Sequence, residues 1–248
     1  LASIKKLAEK AEVSPPSISR FVTKIGLSGY PEMQRSLIAE MKEGDRSPVE
    51  IHATGKQIEG GYLSGFLSRT AEQMQLADAA ITEGQFNRIC ALFGDPKRNI
   101  YSLGGRISDT VAQHLSFHLR QARAGVFHIG RDPEIWPEYL LRMRPGDVLF
   151  LVDFRRYQAN LKQLSKMAAA RRVQIVLMTD KWMSPAKKYA AEVLAVPIEI
   201  STIWDSYSAA LAVTEAMATR TAEEDWTSTR KRIEDWDAVR QSEQDTTP

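Results

Sequence analysis

The chain has 248 residues, 43% of them hydrophobic and 26% charged, which excludes wholesale disorder and allows one large or two ordinary domains. A formal net charge of +2 supplies no chain-wide field for nucleic acid, so any such role must rest on a local patch. A single cysteine, Cys90, excludes an intrachain disulfide and suits a reducing cytoplasm. No stretch reaches the roughly 18 apolar residues needed to cross a bilayer, and nothing reads as a secretory signal, so a soluble cytoplasmic protein without a membrane partner is expected. The chain opens on Leu1 and runs straight into a helix pattern, from which residues before position 1 are expected to be missing.

Ser3 is placed to cap a short amphipathic helix with Ile4, Leu7, Ala8 and Ala11 on one face. After a tight connection, Ser14 caps a second helix with Pro15 at its first position, and Gly26 ends it. Its buried stripe is predicted to be Ile18, Phe21, Val22 and Ile25. A third helix over 31–41 turns Met33, Leu37, Ile38 and Met41 inward. Two short helices at this separation form a helix-turn-helix pattern, the alternative being a helical hairpin used only for protein contact. The candidate DNA-binding residues are Ser14, Pro16, Ser17, Ser19, Arg20 and Lys24: small polar groups permit close approach to bases, and the cations meet phosphates.

The run S-I-K-K-L-A-E-K-A-E-V-S-P-P-S-I-S-R-F-V-T-K-I-G-L-S-G-Y-P-E-M resembles the N-terminal helix-turn-helix domain of RpiR-type transcriptional regulators. The resemblance implies that a further helix precedes Ser3. Residues 1–46 form the expected DNA-binding domain, 47–61 an exposed linker, and 62–248 a second domain.

That domain opens with a helix over 62–80 and another capped by Thr82, with Phe86, Ile89, Cys90 and Leu92 inside. Strands are predicted at 99–103, 125–129, 148–153, 173–178 and 192–196, with helices at 109–122, 134–143, 158–171, after Ser184, and at 207–219. This alternation predicts an α/β, doubly wound, flavodoxin-like domain with a five-stranded parallel sheet. A last charged helix over 222–240 carries Trp226, Ile233, Trp236 and Val239 as a stripe that docks on its own domain or on a partner subunit, a homodimer contact being favoured; a homodimer or a dimer of dimers is expected.

The loop Gly104, Gly105, Arg106, Ile107, Ser108 opens a helix whose free N–H groups favour anions, although tight turns use paired glycines anyway. With Thr179, Asp180 and the S-P-A at Ser184, it resembles a sugar isomerase (SIS) domain, the module that RpiR-type regulators carry. Such domains hold phosphosugars in a serine- and threonine-rich loop after the third strand. Here Asp153, Arg155, Arg156 and Gln158 stand where those residues are expected, and Arg106 replaces a glycine.

Three readings of D-F-R-R-Y stay open: an altered anion site with Arg155 or Arg156 as grip, a subunit interface, or a solvated charge cluster. The resemblance thus implies ligand-binding residues Gly104, Gly105, Arg106, Ser108, Asp153, Arg155, Arg156, Thr179 and Ser184, with DNA and a small effector such as a phosphosugar as partners. His114, His118 and His128 lack the spacing of a metal motif; no metal, cofactor or catalysis is expected, and the alternatives are a sugar-phosphate isomerase with an accessory helical domain, then a ligand-free dimerisation module. Asp205 and Ser206 lie in a region that helps close SIS sites, but helix capping explains them equally well.

Overall fold

The computed structural model describes residues 2–44, 46–55 and 57–244. It divides into two compact units, Leu1–Ser47 and Pro48–Pro248. In the first, α1 (Ile4–Lys10) is capped by Ser3, and α2 (Pro15–Lys24) by Ser14 with Pro15 in its first turn. Gly26, at φ +88°, makes the turn that leads to α3 (Tyr30–Gly44). Ala8, Ile18 and Val22 form a small core with Ile4, Leu7, Leu27, Tyr30 and Met33 around it.

The expected stripe of α2 is half correct. Ile18 and Val22 are buried, whereas Phe21 and Ile25 are 56% and 50% exposed. Among the described residues, α1–α3 enclose only a narrow strip of α2, and these neighbouring apolar residues fall outside it. Leu37 and Ile38 on α3 are likewise exposed, and the side chain of Met41 lies outside the described residues.

The second unit starts earlier than a linker ending at 61 would allow. Pro48–Thr54 is a helix, α4, favoured by proline in its first turn although it buries no residue. Then come α5 (Tyr62–Ala80) and α6 (Glu83–Gly94). On α5 the buried residues are Gln73 and Ala77, while Leu63, Leu67 and Leu76 are exposed.

The sheet follows with β1 (Ile100–Gly104), α7 (Asp109–Ala122), β2 (Val126–His128), α8 (Trp136–Arg142), β3 (Val148–Val152), α9 (Ala159–Ala170), β4 (Gln174–Thr179) and β5 (Glu192–Ala195). The strand order is β2-β1-β3-β4-β5 and the pairings are all parallel. The chain closes with α10 (Ser208–Glu224) and α11 (Trp226–Gln244).

Alternation along the strands builds two cores. Ile100, Val148, Phe150, Val152, Val176 and Met178 face α6, α7 and α10, while Tyr101, Leu103, Leu149, Leu151, Ile175 and Leu177 face α8 and α9. Strand order reverses direction between β1 and β3, so the crevice beyond their carboxyl ends lies between the loops that follow them.

Candidate DNA-binding face and effector site

On α2, Pro16, Ser19, Arg20 and Lys24 are exposed and Ser17 is half-buried. Ser14 caps the helix by accepting the Ser17 N–H at 3.3 Å, and the two hydroxyls lie 2.9 Å apart. Arg20 Nη2 donates to Ser17 Oγ at 3.3 Å, and Ser19 Oγ donates to the Pro15 carbonyl at 3.4 Å. Ser14, Pro16, Ser17 and Ser19 thus cluster at the N-terminal end of α2, while Arg20 lies at its middle and Lys24 is its last residue. That arrangement places short polar groups and two cations along one helix, the chemistry that reading a duplex requires.

At the sheet edge, the first loop is closed by its own side chains. Gly105 N–H donates to Ser108 Oγ at 2.9 Å, and that hydroxyl donates to the Val152 carbonyl at 3.0 Å, tying β1's loop to β3. Gly104 N–H donates to Asp109 Oδ1 at 2.8 Å. A Cβ at Gly104 would lie 2.5 Å from the Asp109 backbone, so only glycine fits.

The second loop carries an enclosed polar network. Ser184 donates its hydroxyl to the Asp153 carboxylate, and Thr179 Oγ1 donates to the Asp153 carbonyl at 2.8 Å while accepting the Ser184 N–H at 3.0 Å. Burial pushes the Asp153 carboxyl up to about 6, against the pull of the Ser184 hydroxyl and the Gln158 N–H. Burial likewise raises Asp180, which accepts the Tyr157 hydroxyl and the Arg155 and Trp182 N–H groups.

Arg155 is only 5% exposed and grips Asp205 of the same chain with Nε and Nη2, the Nε bond being 2.7 Å. Its guanidinium carbon stands 4.9 Å above the Trp182 ring. Arg156 is exposed at φ 65°.

Between the first loop and the start of α9 lies a cleft of about 370 Å3 lined by Gly105, Arg106, Arg131, Trp136, Gln158 and Asn160, among others. Arg131 Nη1 donates to the Arg106 carbonyl at 2.9 Å and remains 61% exposed. The cleft gathers Gly104, Gly105 and Arg106 of the candidate residues; Asp153, Thr179 and Ser184 are enclosed instead in the network behind it. Arg131 and Asn160 were not singled out from sequence, since a lone arginine or asparagine in a loop carries no spacing signal. Among the described residues no three histidine, cysteine or acidic side chains gather as a metal site: His114 pairs with Glu215 and His128 with Asp109.

A family model for the SIS domain matches residues 95–220, and one for the helix-turn-helix domain of the rpiR family matches residues 1–44. The chain belongs to the RpiR family of transcriptional regulators. Among curated proteins, this RpiR-family chain is 22% identical over 204 residues to the HTH-type transcriptional regulator HexR of Pseudomonas aeruginosa, covering 81% of the chain and 69% of HexR. The sugar isomerase domain of the RpiR transcription factor from Sphaerobacter thermophilus superposes with a TM-score of 0.65 at 17% identity, over 71% of the chain and 97% of that domain. NanR of Vibrio vulnificus, complexed with ManNAc-6P, superposes with a TM-score of 0.61 at 15% identity, over 96% of the chain and 85% of NanR. The RpiR-type helix-turn-helix makes this chain a DNA-binding regulator, and α2 is the helix on which its candidate recognition residues stand.

Proposed function

We propose that this cytoplasmic regulator reads its operator through Ser14, Pro16, Ser17, Ser19, Arg20 and Lys24, and that its SIS domain senses a phosphosugar without turning it over. The observation that carries the sensor reading is the cleft at the carboxyl edge, whose lining brings together Arg106, Arg131, the Gly104–Gly105 main chain, Gln158 and Asn160. Cations take a phosphate, and amide side chains suit sugar hydroxyls. The ManNAc-6P bound by NanR is a molecule of this class. Catalysis is disfavoured because Asp153, the carboxylate at the end of β3, is enclosed and bonded to Ser184 rather than open to a sugar carbonyl.

A homodimer, or a dimer of dimers, supplies the paired heads that half-sites about one helical turn apart require. Trp226, Trp236 and Val239 on α11, all exposed, support a subunit contact there. The effector acts by binding one arrangement of the heads more tightly than the other.

A thermal-shift screen of phosphosugars and organic acids tests the sensor. A phosphosugar is expected to raise the melting midpoint with concentration, and Arg131→Ala to abolish the rise. Shifts by organic acids alone, or shifts untouched in both Arg106→Ala and Arg131→Ala, would place the effector elsewhere.

A further inference from the structure

Arg155 is an enclosed cation with an incomplete set of partners. Asp205 accepts from Nε and Nη2, while Nη1 is buried and has no hydrogen-bond partner. Leaving buried N–H donors unmade is unfavourable, and a guanidinium is shaped to hold a two-oxygen anion. The carboxylate it holds belongs to a strap, residues 200–206, that runs into α10. Exposed Trp204 and Ile203 lie on the strap, and Ser201 has φ 55° in the left-handed region.

The strap has two further anchors, both on α5. Arg69 Nη1 donates to the carbonyls of Ile200 at 3.2 Å and Ser201 at 3.0 Å, and its Nη2 to that of Gln57 at 3.0 Å. Buried Gln73 donates to the Ser206 carbonyl at 3.0 Å. Gly55, just beyond α4, is so close that a Cβ there would lie 3.3 Å from the Ser201 carbonyl.

Resting on the reading that this domain senses an anion, we infer that Arg155 is an anion site filled in this structure by the chain's own Asp205, and that an anionic effector is taken up by exchange for that carboxylate. Charge requires exchange rather than addition. Asp205 holds the Arg155 guanidinium, Asp180 accepts the Arg155 main-chain N–H, and Glu199 also acts on Arg155 electrostatically. A second anion entering while Asp205 stayed would meet the like charges of Asp205, Glu199 and Asp180 in a poorly solvated place. Once Asp205 leaves, the guanidinium, still stacked on Trp182, offers its freed fork together with Nη1. Release of the strap then reaches α5 through Arg69 and Gln73 and the end of α4 through Ser201, so occupancy is coupled to the helices nearest the start of this unit.

The test is calorimetric titration of the full chain with inorganic phosphate. Asp205→Asn, which keeps the shape and removes the charge, is expected to tighten phosphate binding by on the order of tenfold, and adding Arg155→Met to remove that gain. An Asp205→Asn protein that binds phosphate no tighter than wild type, or a gain that survives Arg155→Met, overturns the inference. A second measurement needs no variant. Phosphate should speed amide hydrogen exchange across residues 201–205 of the wild-type chain, and unchanged or slower exchange contradicts the exchange of anions. Phosphate binding that is lost in Arg131→Ala but indifferent to Asp205→Asn would leave the sensor reading standing and remove the latch alone.

Discussion

Asp109 and His128 join the first two strands' loops through one carboxylate: Asp109 Oδ1 lies 3.0 Å from His128 Nε2 and accepts the Gly104 N–H at 2.8 Å. Asp109 is buried at the first turn of α7, where a negative charge also complements the helix dipole. One side chain thus fixes the entry of the helix, the glycine loop and the neighbouring strand. Asp109→Ala is expected to destabilise the SIS domain by ~2 kcal/mol in urea unfolding, because the Gly104 N–H loses its acceptor while still enclosed. Loss of less than a few tenths would show that the carboxylate is dispensable to the loop.

Gly104→Ala should be costlier to the site than to the sheet. The added Cβ meets backbone at 2.5 Å, so α7 must move away from β1. A penalty of roughly 1–3 kcal/mol is expected. The same variant should lose any phosphosugar-induced thermal shift, since the cleft's main-chain wall moves with α7. Unaltered unfolding and unaltered effector response would contradict that geometry.

The pH dependence follows from Asp153. Its folded value, about 6, lies above the ordinary 3.8, so the folded chain holds this proton where the unfolded chain has released it. The stability it contributes is complete below about 3.8 and is lost as pH rises through about 6, a change of ~3 kcal/mol. Asp180 is raised too and adds in the same direction. Asp153→Asn should therefore flatten part of the fall in stability between pH 4 and pH 7 seen by urea titration. An unchanged slope would mean that Asp153 is ionised throughout that range.

In the head, burial separates two neighbours on α2. Val22 is fully buried, and Val22→Ala should unfold a core built on three buried residues and abolish DNA binding. Phe21 is 56% exposed, so Phe21→Ala should leave the helical circular dichroism of the chain unchanged. Equal damage from both substitutions would indicate that Phe21 is covered in the working protein.

Much of the fold was legible because β3 and β4 are almost wholly apolar and the intervening segments change period from two to 3.6. The predicted strands each fall within a residue or two of those observed. The head was legible through Ser14, Pro15 and Gly26, whose chemistry fixes a cap, a first turn and a positive φ. What escaped was pairing over distance. Nothing local tells Arg155 that its partner is fifty residues away at Asp205, or that Arg131 reaches back to the Arg106 carbonyl. Likewise Gln73 looks like a surface residue until its bond to the Ser206 carbonyl is seen, and Phe21 has core spacing yet lies outside the strip that α1–α3 enclose.

The central claim, a DNA-binding regulator controlled by an anionic sugar derivative, is tested most directly by fluorescence anisotropy on duplex DNA from upstream of the protein's own coding sequence. The phosphosugar that gives the largest thermal shift is added to half of the samples. Sequence-specific binding is predicted, weakening with salt, reduced on all sequences by Arg20→Ala with a shallower salt slope, and altered at least several-fold by the phosphosugar. Binding indifferent to sequence, or sequence-specific binding that the phosphosugar leaves unchanged, would contradict it.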